Sequence, residues 1–278
     1  MDLEAEYNNR QRVPEHPAIL ARWAAASSEA VRTLRADLDL AYGPGERHRY
    51  DLFHPHAEPR DAPLVVYIHG GYWQRGDRKD YSFVVRELVA NGLRVALPSY
   101  SLCPTVTVAE IAAEMRLFLS VLWQRLQRRP VVVGHSAGGH LAAVLLAADR
   151  SAVPDVPADL VRAAYAISGV FELAPLLSTS INDALRLTPE TAEAASPRFR
   201  PAPPRGRTFV AAVGGAESSE FLRQSRDLAA AWSAQGVETE YVVVPNADHF
   251  TVVDELTRPG SAILTGIVKM AAERSALP

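Results

Sequence analysis

The segment Val131-Val132-Val133-Gly134-His135-Ser136-Ala137-Gly138-Gly139 restricts the fold more than any other stretch of the chain. A short apolar run enters G-x-S-x-G, and an apolar stretch with helical character follows from His140 to Ala148. That order describes a strand that reverses sharply into a helix with a serine at the bend. Glycines at 134 and 138 leave room for the turn against neighbouring chain. The Ser136 hydroxyl is then held out at the carboxyl end of a sheet. The helix start beneath it points N–H groups at any negative charge that develops there. The other Gly-rich possibility, phosphate binding, fails because neither G-x-x-x-x-G-K-[ST] nor G-x-G-x-x-G occurs in the sequence.

The remainder of the chain supplies a sheet for this turn. Leu64-Val65-Val66-Tyr67-Ile68 is a continuous apolar run, the pattern of a strand covered on both faces. Arg94–Leu97, Val131–Val133, Ala163–Ile167, Phe209–Val213 and Tyr241–Val244 read alike. Two earlier strand candidates, Ala36–Tyr42 and Arg49–Phe53, are separated by the turn signal Gly43-Pro44-Gly45. Between the runs lie helical patterns. Val108, Ile111, Ala112, Met115, Leu119, Leu122 and Leu126 recur on one helical face, and Phe221–Trp232 repeats the device. Ala18–Leu34 reads as a further helix within a helical extension at 1–36. The alternation predicts an α/β fold with a mostly parallel, twisted sheet of about eight strands and helices on both faces. All 278 residues are read as a single domain. Phe171 to Arg207 is Pro-rich and irregular, and is expected to be a small lid insertion over one end of the sheet.

A serine at such a bend needs a base, and the base needs an orienting carboxylate. In nucleophile-elbow architecture these follow in the order serine, acid, histidine. Of eight histidines only His249 lies after the late strands, just past Tyr241–Val244. The acid should leave the strand Phe209–Val213, where Gly214-Gly215-Ala216-Glu217 places Glu217. Glu220 and Asp227 compete but fall on the following helix. Asp248 adjoins the base and is expected to be structural. His69-Gly70-Gly71-Tyr72-Trp73 follows the Leu64–Ile68 strand, where a second donor loop belongs. The N–H groups of Gly71, Tyr72 and Ala137 are therefore expected to form an oxyanion hole. His69 is expected to brace that loop. Trp73, His135 and Phe171 are expected to line a substrate pocket. Tyr72 and Tyr100 are further aromatic candidates, with core packing as the plain alternative for each aromatic residue.

Composition bounds the function classes. Lys+Arg total 29 against 32 Asp+Glu, a net charge of -3, without the basic surplus of a nucleic-acid binder. No stretch is apolar enough for a membrane helix. His48, His54 and His56 sit in a Pro-containing segment without further ligand spacing, so no metal is expected, and no cofactor. Cys103 is the sole cysteine, which fits a reducing, cytoplasmic setting and is expected to be a packed thiol. MDLEAEYNNR has no apolar run after a basic segment, so a secretory signal is not expected. The expected partner is a small molecule, with a homodimer left open.

H-G-G-Y-W at 69–73, G-H-S-A-G-G-H at 134–140 and D-H-F at 248–250 resemble the α/β-hydrolase superfamily, and within it the kynurenine formamidase (arylformamidase) branch. Phe171-Glu172-Leu173-Ala174-Pro175-Leu176, Asn182 and Ser196-Pro197 are similar to that branch's lid. The resemblance covers about residues 45–260. It implies hydrolysis of N-formyl-L-kynurenine to kynurenine and formate, with Ser136, His249 and Glu217 as the triad. Members often use Asp as the acid, so Glu217 departs in type. A short-acyl carboxylesterase is the alternative within the same chemistry. A ligand receptor on a hydrolase scaffold is the alternative outside it.

Overall fold

Five-residue apolar strands need cover on both sides, and the arrangement of elements provides it. The computed structural model describes residues 1–57, 59, 61–148 and 155–274. Strands β1 (Ala36–Ala41), β2 (Arg49–Phe53), β3 (Leu64–Ile68), β4 (Arg94–Pro98), β5 (Pro130–His135), β6 (Ala163–Ile167), β7 (Thr208–Gly214) and β8 (Glu238–Val244) form one sheet in the order β1-β2-β4-β3-β5-β6-β7-β8. β1 pairs with β2, and β2 with β4, antiparallel. Every pairing from β4 through β3 to β8 is parallel. The expected mostly parallel eight-stranded α/β-hydrolase sheet is therefore present.

The period-2 geometry of a strand splits its side chains between two cores. Leu64, Val66 and Ile68 of β3 enter one core, and Val65 and Tyr67 enter the other. Helices α1 (Leu3–Tyr7), α2 (Asn9–Arg12), α3 (His16–Thr33), α4 (Val85–Ala90), α5 (Val108–Leu126), α6 (Ala137–Ala147), α7 (Asn182–Leu185), α8 (Pro189–Ala195), α9 (Ser219–Ser233) and α10 (Ala262–Arg274) complete the order. α5, α6 and α9 contribute to the first core, and α3, α4 and α10 to the second. α5 begins at Thr107, whose hydroxyl accepts the Glu110 N–H while Glu110 accepts the Thr107 N–H, a reciprocal cap. The α5 stripe read from sequence is the buried one: Val108, Ile111, Ala112, Met115, Leu119 and Leu122 are all buried. α6 is different, buried on almost every side, because α5 and the 171–207 segment cover the face turned from the sheet.

Two features position the site. β5 ends at the serine, in the middle of the sheet, between β3 and β6. The N-terminal helices pack against the rim. Tyr7 Oη donates to Glu220 Oε2 (2.6 Å), and Glu6 accepts from Ser219 Oγ (2.8 Å) and the Glu220 N–H (3.0 Å). Ser27 Oγ of α3 donates to the Asp80 carbonyl (2.9 Å) and accepts the Phe83 N–H (3.1 Å).

Candidate active site

Ser136 has φ +55° and ψ -117°, a conformation L-residues avoid and a surrounding structure must impose. Close backbone packing imposes it. A Cβ on Gly134 would stand 2.1 Å from the Gly138 carbonyl oxygen, and one on Gly138 would stand 2.0 Å from that of Ile68. Only hydrogen fits at both positions. The Ser136 N–H donates to the Ile167 carbonyl of β6 (2.8 Å), which ties the bend to the next strand.

Glu217 and His249 meet because two loops are stacked backbone to backbone. A Cβ on Gly214 would lie 2.2 Å from the Ala247 carbonyl oxygen, and the Ala216 N–H donates to that same carbonyl (3.0 Å). His249 Nδ1 then lies 2.7 Å from Glu217 Oε2. The Glu217 Oε1 atom accepts the Gly214 N–H (2.7 Å) and a short bond from Ser168 Oγ. Both residues are buried. With two donors already directed at it, Glu217 serves as an acceptor, which favours the tautomer with the proton on Nδ1 and leaves Nε2 free to accept one. The competing acids are engaged elsewhere. Glu220 binds Tyr7 and Arg223, and Asp227 pairs with Arg223 and Arg226. Asp248 accepts the N–H groups of Phe250 and Thr251 (2.8 Å each) and so shapes the loop.

The donor loop is held in an unusual shape. Gly71, Tyr72 and Trp73 all have positive φ, at 119°, 56° and 58°. The Gly71 carbonyl accepts the N–H groups of Gln74 and Arg75 (3.0 Å each). The N–H groups of Gly71 and Tyr72 donate to no main-chain acceptor among the described residues. The loop lies against the serine: a Cβ on Gly70 would be 3.1 Å from Ser136 Cβ. His69 braces it from within. Its ring stacks on Tyr100 at 4.3 Å, its Nδ1 lies 2.7 Å from the Gly70 carbonyl, and burial pulls its pKa down to about 4.

A cavity of about 280 Å³ opens onto this constellation. Gly71, Tyr72, Ser136 and His249 are on its wall, and so is His135. His135 Nε2 lies 2.8 Å from the His249 carbonyl oxygen, and burial, with His249 nearby, drives its pKa well down. The geometry brings together a serine, an imidazole backed by a carboxylate, and uncommitted N–H groups.

The family described as alpha/beta hydrolase fold matches residues 65–253. The chain belongs to the α/β-hydrolase family. The kynurenine formamidase of Salmo salar is 34% identical over 226 residues, which cover 79% of this α/β-hydrolase and 76% of that protein. That of Danio rerio is 31% identical over 281 residues, covering 97% and 95%. A crystallised protein from Silicibacter sp. TM1040, provisionally named a thioesterase, superposes with a TM-score of 0.85 at 33% identity, covering 97% of this chain and 99% of that one.

Two of the expected pocket residues of this α/β-hydrolase do not reach the cavity. Trp73 is buried edge-on against the His140 ring (5.0 Å), and Phe171 packs under Phe209 (5.9 Å). Their aromatic bulk was drawn into the core, where it removes the most apolar surface from water. Tyr100 likewise lies in the core. The cavity wall comes instead from residues that local reading did not single out: Arg10, Leu20, Trp23 and Ala24, with Arg75, Tyr81 and Phe250. Ser168 was also missed. Its position just after the Ala163–Ile167 strand was the available signal. The 171–207 segment does not line this cavity. With α5 and α6 it borders a separate one of about 500 Å³. His48 and His54 pair with different carboxylates, Glu114 (3.2 Å) and Asp37 (3.4 Å). Cys103 is buried, and its thiol is pushed up to about 11 by desolvation. No helix among the described residues is long and apolar enough to cross a membrane.

Proposed function

We propose that this α/β-hydrolase is a serine hydrolase that removes a formyl group from an aryl amide, with N-formyl-L-kynurenine as the substrate. The observation that carries the reading is the buried 2.7 Å contact of Glu217 with His249 Nδ1, beside a cavity that His249 shares with Ser136. Ser136 Oγ attacks the formyl carbon while His249 Nε2 takes its proton. The carbonyl electrons move to oxygen, where the N–H groups of Gly71, Tyr72 and Ala137 receive the charge. Collapse breaks the C–N bond, and His249 returns the proton to the departing amine nitrogen. Water then attacks the formyl ester, again losing a proton to His249. Formate leaves and Ser136 regains its hydrogen. Glu217 keeps the imidazole in the working tautomer and offsets its positive charge.

The near full-length likeness to proteins named kynurenine formamidase favours a formamide. A short-acyl carboxylesterase would use the same groups. The test is a hydrolysis panel of N-formylkynurenine, formanilide, acetanilide, butyranilide and p-nitrophenyl acetate, compared by kcat/KM. Preference for the formyl amides supports the reading. Equal turnover of formyl, acetyl and butyryl anilides, or an ester preference, overturns it.

A further inference from the structure

Two arginines line the cavity beside Ser136: Arg10 from α2 and Arg75 from the end of the donor loop. They come from opposite ends of the wall's construction, 65 positions apart in sequence. Among the described residues neither has a carboxylate partner or a side-chain hydrogen bond. They are near enough to repel. Burial and the Arg75 charge together lower the pKa of Arg10. Arg75 is exposed and Arg10 half-buried, and bringing like charges together with one of them partly removed from water is unfavourable unless an anion completes the arrangement. The third charged group on the wall, Asp80, already accepts the Asp77 N–H (3.0 Å) and does not pair with either arginine. The same wall also carries aromatic side chains, among them Trp23, Tyr81 and Phe250.

We propose that Arg10 and Arg75 form the recognition point for a carboxylate carried on the amine half of the substrate, so that the protein selects aryl amides that bear a carboxylate. The inference rests on the reading of Ser136 as the nucleophile of a formamide hydrolase. A formyl group has no room for a second charge, so the anion must lie on the leaving half. The aromatic wall holds the ring of that half, and the guanidinium forks take the carboxylate oxygens beyond it. Arg10 and Arg75 are positioning residues for binding; no bond is made or broken at them.

The test uses matched pairs. One pair is N-formylkynurenine and its side-chain carboxamide. The other is an aryl acetate bearing a propionate side chain and the corresponding propionamide. The readout is the ratio of kcat/KM for the carboxylate over the carboxamide member. The wild-type ratio is expected to be about tenfold or more in each pair. Arg10→Ala and Arg75→Ala should each lower it about tenfold, chiefly through KM, and Arg75→Glu should bring it below one. Raising NaCl from about 20 to about 500 mM should narrow the wild-type ratio and leave the variants' ratios nearly flat. A wild-type ratio near one, or a ratio untouched by both alanine substitutions, overturns the inference. If the formamide reading itself fails, the ester pair still reports the ratio. Calorimetry of the arylamine carboxylate product with Ser136→Ala reads the same contact without turnover. There, Arg10→Ala leaving Kd unchanged would also overturn it.

Discussion

Ser136 carries a backbone strain of about 1–3 kcal/mol by virtue of its positive φ. That strain should be separable from its chemistry. Ser136→Ala is expected to lower kcat by at least ~10³-fold with an unchanged melting temperature. Ser136→Gly should be equally inactive yet melt higher, because glycine adopts φ +55° without penalty. Retention of most activity in Ser136→Ala would end the hydrolase reading. For the acid, Glu217→Gln should cost ~10²- to 10⁴-fold in kcat, since the amide can present its NH₂ to Nδ1 and favour the wrong tautomer. Glu220→Gln should lower thermal stability and leave kcat within a few-fold, because that carboxylate holds Tyr7 and Arg223. The reverse pattern would exchange their roles. At this scale the serine and the histidine were legible, since each is tied to a motif or to chain order. Glu217 was legible from its place at the exit of the Phe209–Val213 strand, ahead of Glu220 and Asp227 on the following helix. What brings it onto His249 is the stacking of the 214–217 and 245–249 loops, a contact between distant segments that no local pattern encodes.

At the scale of elements, the bend after β5 is a fit between backbones. Gly138→Ala places a methyl group where the Ile68 carbonyl oxygen lies, and α6 or β3 must move. A loss of more than ~2 kcal/mol in urea unfolding is expected, with a larger fractional loss of activity as the donor loop shifts away from Ser136. Unfolding parameters equal to wild type would contradict the packing. The strands of the sheet and the limits of α5 followed from apolar runs and a helical stripe, both short-range signals. The 171–207 segment offered none of these. It holds together through particular long-range bonds: Gln224 accepts the N–H groups of Phe171 and Glu172 (2.6 and 2.8 Å), and Ser196 Oγ accepts that of Leu173 (2.8 Å). Its irregular sequence did show that it departs from the βα rhythm. It did not show which cavity the segment borders.

For the whole molecule, buried histidines set the response to acid. Desolvation lowers His69 and His140 to about 4, and His135 lies well below its ordinary 6.5. In the unfolded chain all three titrate near 6.5. Between about pH 6.5 and 4 the unfolded state therefore binds more protons, so stability falls as pH drops through that window and levels off above it. The total is on the order of a few kcal/mol. Urea midpoints measured from pH 7.5 down to 5 should hold steady to about 6.5 and then decline. A flat profile to pH 5 would mean these rings are not held neutral.

The cavity's outer wall could not be read from sequence because α2 and α3 reach it from far along the chain. The same long reach has a temporal side. The Tyr72 phenol accepts the Asn9 N–H (2.8 Å) and donates to the Tyr7 carbonyl (3.2 Å), while Tyr7 itself is anchored 213 residues away on Glu220. During synthesis the earliest turns emerge long before the anchor that fixes them. Contacts of such separation form late and slowly. A nascent chain can build its first strands early, but it acquires a set donor loop only once α9 has been made.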